Sequence, residues 1–66
     1  MIKFPVWSAM PDHRTVLVTY QLNRLSANNI NVIDYNLVPI ETQIGTIYEL
    51  QVTVSEEDEL YWRLIS

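Results

Sequence analysis

The residues best suited to chemistry lie in two short stretches, 10–14 and 29–31. Asp12 and His13 are neighbours, and a carboxylate beside an imidazole that titrates near neutral pH is a candidate acid–base pair. Acyl transfer also needs a nucleophile, but the chain has no cysteine and no motif links a hydroxyl group to His13. We therefore predict that the chain is not an enzyme and has no catalytic residues.

Binding is the alternative use of the same two stretches. Asp12, His13 and Arg14 stand at the expected start of a helix, and Asn29 and Asn31 stand at the expected start of a strand. We expect these side chains to converge where the first strand, the first helix and the second strand meet. Helix N–H groups beside them would help to hold a carboxylate or a phosphate. These residues form the predicted ligand-binding set.

Metal and cofactor sites are not expected. Residues 56–59 are four consecutive acids, but consecutive side chains on a helix point in different directions and do not converge on one cation. They suit a helix start, where negative charge meets the positive end of the helix dipole. We predict no metal ligand and no cofactor.

Large aromatic side chains are the candidates for contacts with another protein. Trp7 and Trp62 are weighed as interface anchors because binding energy concentrates on exposed aromatic residues, and core packing is the alternative for each. Trp7 falls opposite the apolar side of its strand. Pro5 has no backbone N–H and so indicates an edge strand. Pro5, Trp7 and Trp62 form the predicted interface set.

Size and composition predict one small domain with a thin core. The 66 residues are 48% apolar and 18% charged, as in globular proteins. A chain this short buries only about 60% of its unfolded surface, so we expect a homodimer or another protein partner. The absence of cysteine, of an export signal and of a long apolar run predicts a cytoplasmic protein that does not enter membranes.

Charge is distributed unevenly along the chain. Residues 1–33 hold three basic residues against one acidic residue, a net charge of +2, whereas residues 34–66 hold one against seven, a net charge of −6. Four dispersed basic residues do not form the basic face that binds phosphates, and the acidic half would repel them. We expect no nucleic-acid partner.

Apolar periodicity indicates the elements that must position these residues. Alternating apolar and polar residues are typical of half-buried strands, and Gly45 is the one glycine able to support a tight turn. The strands are expected over residues 2–10, 30–40 and 46–54, with a turn over residues 39–45. Ile33, Tyr35 and Leu37 should share one face of the second strand.

The region between the first two strands fits two patterns. Residues 15–23 alternate like a strand rich in β-branched residues, yet the apolar residues of this region also share one helical face. One interpretation is a helix over residues 12–28 with Asp12 as its N-cap, and the other is a strand over residues 15–23.

The C-terminal segment predicts a helix. Ser55 is a suitable N-cap, and Arg63 lies in the last turn, where positive charge is favourable. Apolar residues recur at three- and four-residue spacing and predict a buried stripe made of Leu60, Tyr61, Leu64 and Ile65.

With residues 12–28 as a helix, the residues at the junctions resemble those of an ACT domain. The relevant segments are the Met-Pro-Asp-His-Arg run at 10–14, Leu25, the Asn-Ile-Asn-Val run at 29–32 and the acidic helix after Ser55. The resemblance implies a ferredoxin-like, ACT-like βαββα two-layer α+β sandwich that dimerises and senses an amino-acid-like ligand. If residues 15–23 are a strand, the fold is instead an antiparallel β-meander of four strands with a C-terminal helix.

Two features of the ACT pattern are absent. Arg14, Thr15 and Val16 occupy the stretch where the family has a proline and a glycine. A β-branched Thr15 or Val16 in place of the glycine favours a protein surface over a metabolite pocket. No fourth strand is encoded before Ser66, so we expect the first strand, with Pro5, to present an open edge.

The sequence thus predicts a single domain over residues 1–66 that acts as a non-catalytic regulatory module of ACT type. Its expected partners are a second copy or another protein, with an amino-acid-like ligand at the five polar residues. The alternative function is a small acidic inhibitor or adaptor of the mobile-element type. Such a protein would bind and block a host protein through its acidic second half.

Overall fold

A computed structural model describes residues 1–7 and 10–66. Three strands form one antiparallel sheet in the order β1-β3-β2, and both helices contribute to the core on one face of it. The chain is therefore a small α+β domain with a sheet layer and a helix layer. In chain order its elements are β1 (Ile2–Val6), α1 (Pro11–Ala27), β2 (Asp34–Thr42), β3 (Gly45–Thr53) and α2 (Glu56–Ile65).

The first connection is helical throughout residues 15–23. The helix interpretation is confirmed and the four-stranded meander is wrong, because Val18, Leu22 and Leu25 bring one face of α1 onto the sheet. The prediction of Asp12 as N-cap is also wrong: Met10 occupies that position, without a side-chain cap bond. Proline suits the first helical position, since its fixed φ is already helical and its missing N–H needs no partner.

The C-terminus of α1 is closed by backbone bonds. The N–H of Ile30 donates to the carbonyl oxygen of Leu25 at 3.0 Å, and the N–H of Asn29 donates to that of Ser26 at 3.0 Å. Asn29 has φ of 62°, so this is a Schellman motif with Asn29 in the left-handed position. Leu25 and Ile30 are both buried, as the motif requires.

The sheet is built on a register that lines up apolar rows. Leu50 on the central strand lies opposite Phe4 of β1 on one side and opposite Leu37 of β2 on the other. The alternation predicted for the first and last strands is confirmed over Ile2–Val6 and Gly45–Thr53. The first strand was predicted to continue to residue 10, but β1 ends at Val6, and Ser8 and Ala9 lie outside the described residues.

The turn predicted over residues 39–45 is too long. β2 continues through Pro39 to Thr42, and the chain reverses directly before Gly45, whose φ of 127° confirms its special role. Pro39 is tolerated within the strand because β2 is an edge strand of this sheet.

The orientation of α2 differs from the prediction. Its cap is confirmed, since the Ser55 hydroxyl oxygen accepts from the N–H of Asp58 at 3.2 Å. The buried residue, however, is Trp62, and the predicted stripe of Leu60, Tyr61, Leu64 and Ile65 is exposed. Two contacts lie one helical turn before Trp62. The Asn31 N–H donates to Asp58 at 3.1 Å, and the Met1 ammonium donates to Glu59 at 2.6 Å.

Candidate functional site

A groove lies between α1 and β2, on the face of the sheet that carries the core. Leu50 is fully buried in the central strand, whereas its neighbour Leu37 is 37% exposed and Tyr35 is 49% exposed. The two helices thus leave β2 partly uncovered. The groove has a volume of about 440 Å³ and includes Arg14, Thr15, Val18 and Leu22 on the helix side, with Tyr35 and Leu37 on the strand side.

Arg14 lies at the end of the groove nearest the start of α1. Its guanidinium carbon is 4.3 Å from the centre of the Tyr48 ring, a cation–π contact on the central strand. The Thr15 hydroxyl donates to the carbonyl oxygen of Pro11 at 3.2 Å, so this side chain serves the helix. The groove therefore combines an apolar length with one cationic end.

A second candidate surface is formed by exposed apolar side chains of the two helices. Val16 lies nine residues before buried Leu25, which is about two and a half helical turns, so it points to the opposite side of α1. Leu60 and Leu64 each lie two residues from buried Trp62 and so point about opposite to it, with 59% and 84% of their area exposed. We call this the outer helix surface, made of Val16, Leu17, Tyr20, Leu60, Tyr61, Leu64 and Ile65.

The predicted ligand-binding set is not brought together. Asp12, His13 and Arg14 lie in the first turn of α1, whereas Asn29 and Asn31 follow its last turn. A helix of 17 residues separates the two groups by roughly 25 Å. The expectation of convergence is wrong because β1 and β2 both run antiparallel to β3, so the connecting helix must return along the whole sheet.

The two asparagines have structural positions in this fold. Asn29 occupies the left-handed residue of the helix end, and the backbone of Asn31 contacts Asp58 of α2. Of the five predicted residues, Arg14 lines the groove.

The predicted interface set is divided between surface and core. Trp7 is 68% exposed, and Pro5 is exposed on an edge strand. Trp62 is 7% exposed, with its ring against Phe4 and the guanidinium carbon of Arg24 4.9 Å from its centre. We therefore place Trp62 in the core and leave it out of the interface proposed below.

The main electrostatic contact ties the start of the chain to α2. The Met1 ammonium lies 2.6 Å from a carboxylate oxygen of Glu59, and Arg63 lies 3.8 Å from the same oxygen. The hydrogen bond from the ammonium holds the pKa of the Glu59 carboxyl below its ordinary value, although desolvation acts in the opposite direction. The contact therefore favours the ionised form of the Glu59 carboxyl in the folded chain.

Two classes of site are missing from the described part of the chain. Within residues 1–7 and 10–66, no group of three or more His, Asp or Glu side chains is arranged to hold a metal ion. No helix in these ranges is long and apolar enough to cross a bilayer.

Comparison with known proteins does not assign this chain to a family. No protein-family model, curated protein or solved structure matches it. Function must therefore be argued from the groove and the outer helix surface.

Sequence reasoning missed most of the residues in both surfaces. The helix interpretation already placed Val18 and Leu22 on one face, and the three-residue spacing from Thr15 to Val18 is the signal that could have added Thr15. The open face of Tyr35 and Leu37 had no such signal, since exposure depends on where the helices lie. Only the tertiary structure shows that the helices cover β1 and β3 and leave β2 exposed.

Proposed function

We propose that this chain is a non-catalytic regulatory module of the ACT type, which forms a homodimer through its helix layer and binds an amino-acid-like ligand. The outer helix surface carries the proposal, because both helices expose apolar side chains to solvent. The element order βαββα and the sheet order β1-β3-β2 are compatible with a small α+β fold of this kind.

The size of the outer helix surface supports a second copy as its partner. Its seven side chains expose roughly 100 Å² each, on the order of 700 Å² per copy. The largest apolar patch of an ordinary monomer is about 300–600 Å², and a stable interface buries about 800 Å² on each side. One further copy is therefore sufficient to cover the surface.

The charges of the two helices are complementary. α1 carries Arg14 and Arg24 against Asp12, whereas α2 carries the four acids of residues 56–59 against Arg63. Arg14 and Arg24 already contact Tyr48 and Trp62 of their own copy. A two-fold dimer that places α1 of one copy on α2 of the other therefore gains only from the opposite net charges of the two helices. Pairing two copies of α2 would instead bring acids together. We therefore favour α1 against α2 across the dimer.

Strand addition at the sheet edges is a poorer route to association. β1 contains Pro5 and β2 contains Pro39, and these are the two edge strands of the described sheet. Proline on an edge strand interrupts the row of backbone donors and discourages pairing with another chain. The open edge at Pro5, expected as a partner site from the sequence, is thus less suited to this role than the helices.

Sedimentation velocity over a range of protein concentrations tests the proposal. The wild-type chain should sediment as a dimer, and a Leu60→Gln, Leu64→Gln double variant should dissociate on the order of ten-thousandfold more readily. Under two-fold symmetry the double variant removes four buried leucine side chains from each dimer, and each contributes about 1.5 kcal/mol or more. The matched control is Ile44→Gln, since Ile44 is 91% exposed in the β2–β3 turn, away from the helices.

Two results would contradict the homodimer. One is a wild-type chain that stays monomeric at every concentration, and the other is a control variant that weakens association as strongly as the double variant. The control matches the double variant in the type of substitution, because each change replaces an exposed aliphatic side chain with glutamine.

A small acidic inhibitor or adaptor is the second candidate function. The supporting observation is that the four acids of residues 56–59 stand beside the exposed apolar residues of α2. A basic and apolar surface on a host protein would complement that arrangement. This function requires a monomer in solution, so the same sedimentation series separates the two candidates.

A further inference from the structure

The groove between α1 and β2 has one charged end and an apolar length. Of the described residues that line it, Arg14 alone carries a charge, and its guanidinium is held in place on the ring of Tyr48. A guanidinium stacked on a ring keeps its full charge, and its N–H donors lie in the guanidinium plane. The end of the groove at Arg14 therefore suits a carboxylate.

The rest of the groove suits a hydrocarbon chain. Val18 and Leu22 lie along its helix wall, and Leu37 and Tyr35 follow in the same direction on β2. From Arg14 to Leu22 the helix rises about 12 Å, which matches an extended acyl chain of medium length. A volume of about 440 Å³ falls in the usual range for small-molecule sites.

We propose that this groove binds a small apolar monocarboxylate, with its carboxylate at Arg14 and its chain between α1 and β2. The ligand differs from an amino acid in one respect. No acidic residue is among the described residues that line the groove, so an α-ammonium group placed beside the carboxylate would lack a charged partner there.

This site replaces the amino-acid-like ligand of the proposed function with an apolar monocarboxylate, and it rests on that function only in assuming that the chain binds a small regulator. Its test uses another readout. Failure of the homodimer would appear in sedimentation, whereas failure of the ligand site would appear in the amide spectrum of the chain without any change in mass.

The experiment is a titration followed by amide chemical shifts, with three probes of equal chain length: octanoate, octanamide and α-aminooctanoate. Octanoate should shift the amides of residues 14–22 and 35–37 and bind about tenfold more tightly than either other probe. Octanamide lacks the negative charge, and α-aminooctanoate adds the ammonium group. Because the three probes share the same chain length, they separate the contribution of the carboxylate charge from that of the ammonium group.

Two variants and a control locate the site. Arg14→Gln should weaken octanoate binding by about tenfold, and Arg63→Gln, a cation on α2 outside the groove, should leave it unchanged. Because Arg14 also contacts Tyr48, Leu37→Glu provides a second variant that keeps this contact and places a carboxylate in the groove. Octanoate binding should be lost in Leu37→Glu while the spectrum stays folded.

Four results would overturn the proposal. They are equal binding of octanoate and octanamide, tighter binding of α-aminooctanoate, equal loss of binding in Arg63→Gln, and shifts confined to the outer helix surface. Binding of a peptide that ends in apolar residues, with none of the free acid, would also overturn it in favour of a protein ligand.

Discussion

The ring of Trp62 meets the ring of Phe4 edge to face, with their centroids 6.1 Å apart and their planes at 76°. This contact joins α2 to β1, and it shows why the two tryptophans of the chain have different roles. Trp62 seals the core between a helix and an edge strand, whereas Trp7 follows the same strand and is exposed to solvent.

Replacement of the two tryptophans should therefore have unequal effects. Trp62→Ala should lower the free energy of unfolding by about 3–5 kcal/mol, because it removes a buried ring and leaves a cavity. Trp7→Ala should change it by less than about 0.5 kcal/mol. Urea unfolding followed by circular dichroism measures both. Equal losses in the two variants would contradict the assignment of Trp62 to the core.

The loss in Trp62→Ala is comparable to the whole stability of a small domain. Trp62→Phe keeps an aromatic ring against Phe4 and should cost less than the alanine variant. It provides a folded species if the alanine variant is unfolded in the absence of urea.

Asn29 should behave as a helix-terminating residue. Its φ of 62° is favourable for glycine and strained for residues with an ordinary side chain. Asn29→Ala should destabilise the chain by about 1 kcal/mol, and Asn29→Gly should leave it equally stable or more stable. Thermal unfolding of the two variants checks this. Equal melting temperatures for both would contradict the left-handed position of Asn29.

The contact between Met1 and Glu59 should make stability depend on pH in the acid range. The ammonium group, with a smaller contribution from Arg63, lowers the folded-state pKa of the Glu59 carboxyl from its ordinary value of 4.5. Stability from a lowered carboxyl pKa is present above the unfolded pKa and is lost as the pH falls through the folded pKa.

The measurement compares wild type with Glu59→Gln in urea unfolding from about pH 6 to about pH 3. Wild type should be the more stable at the upper end, and the difference should shrink as the pH falls. Glu57→Gln, an exposed acid in the first turn of the same helix, is the control and should show less of this dependence. A difference that grows towards low pH would contradict the assignment.

The sequence was a good guide where one local pattern was dominant. The alternation of Ile2, Phe4 and Val6 predicted which side of β1 is buried, and the Ser55 hydroxyl predicted the start of α2. Both features depend on neighbours a few residues away, so short-range chemistry is enough to decide them.

The rotation of α2 shows that local apolar spacing did not predict which side of this helix is buried. Leu60, Tyr61, Leu64 and Ile65 have the spacing of a buried stripe, but apolar residues lie on several sides of this short helix. Trp62 takes the inward position, where its ring packs against Phe4, and Met1 and Asn31 contact the neighbouring acids of α2 from distant parts of the chain. Contacts between residues 27 and 58 positions apart cannot be inferred from spacing within a helix.

The candidate sites were harder to predict for the same reason. Arg14 lies near the start of α1 and lines the groove, but Asn29 and Asn31 lie at the opposite end of α1. Their separation follows from the parallel arrangement of β1 and β2, which no single segment of the sequence encodes.

We propose that a second copy covers the outer helix surface. Isotope-filtered nuclear Overhauser spectroscopy on a mixture of labelled and unlabelled chains detects this interface. We expect contacts between copies from the Val16 methyl groups on α1 to the Leu64 methyl groups on α2. Contacts between copies that involve only β1 residues such as Lys3, or none at concentrations where the mass is that of a dimer, would contradict it.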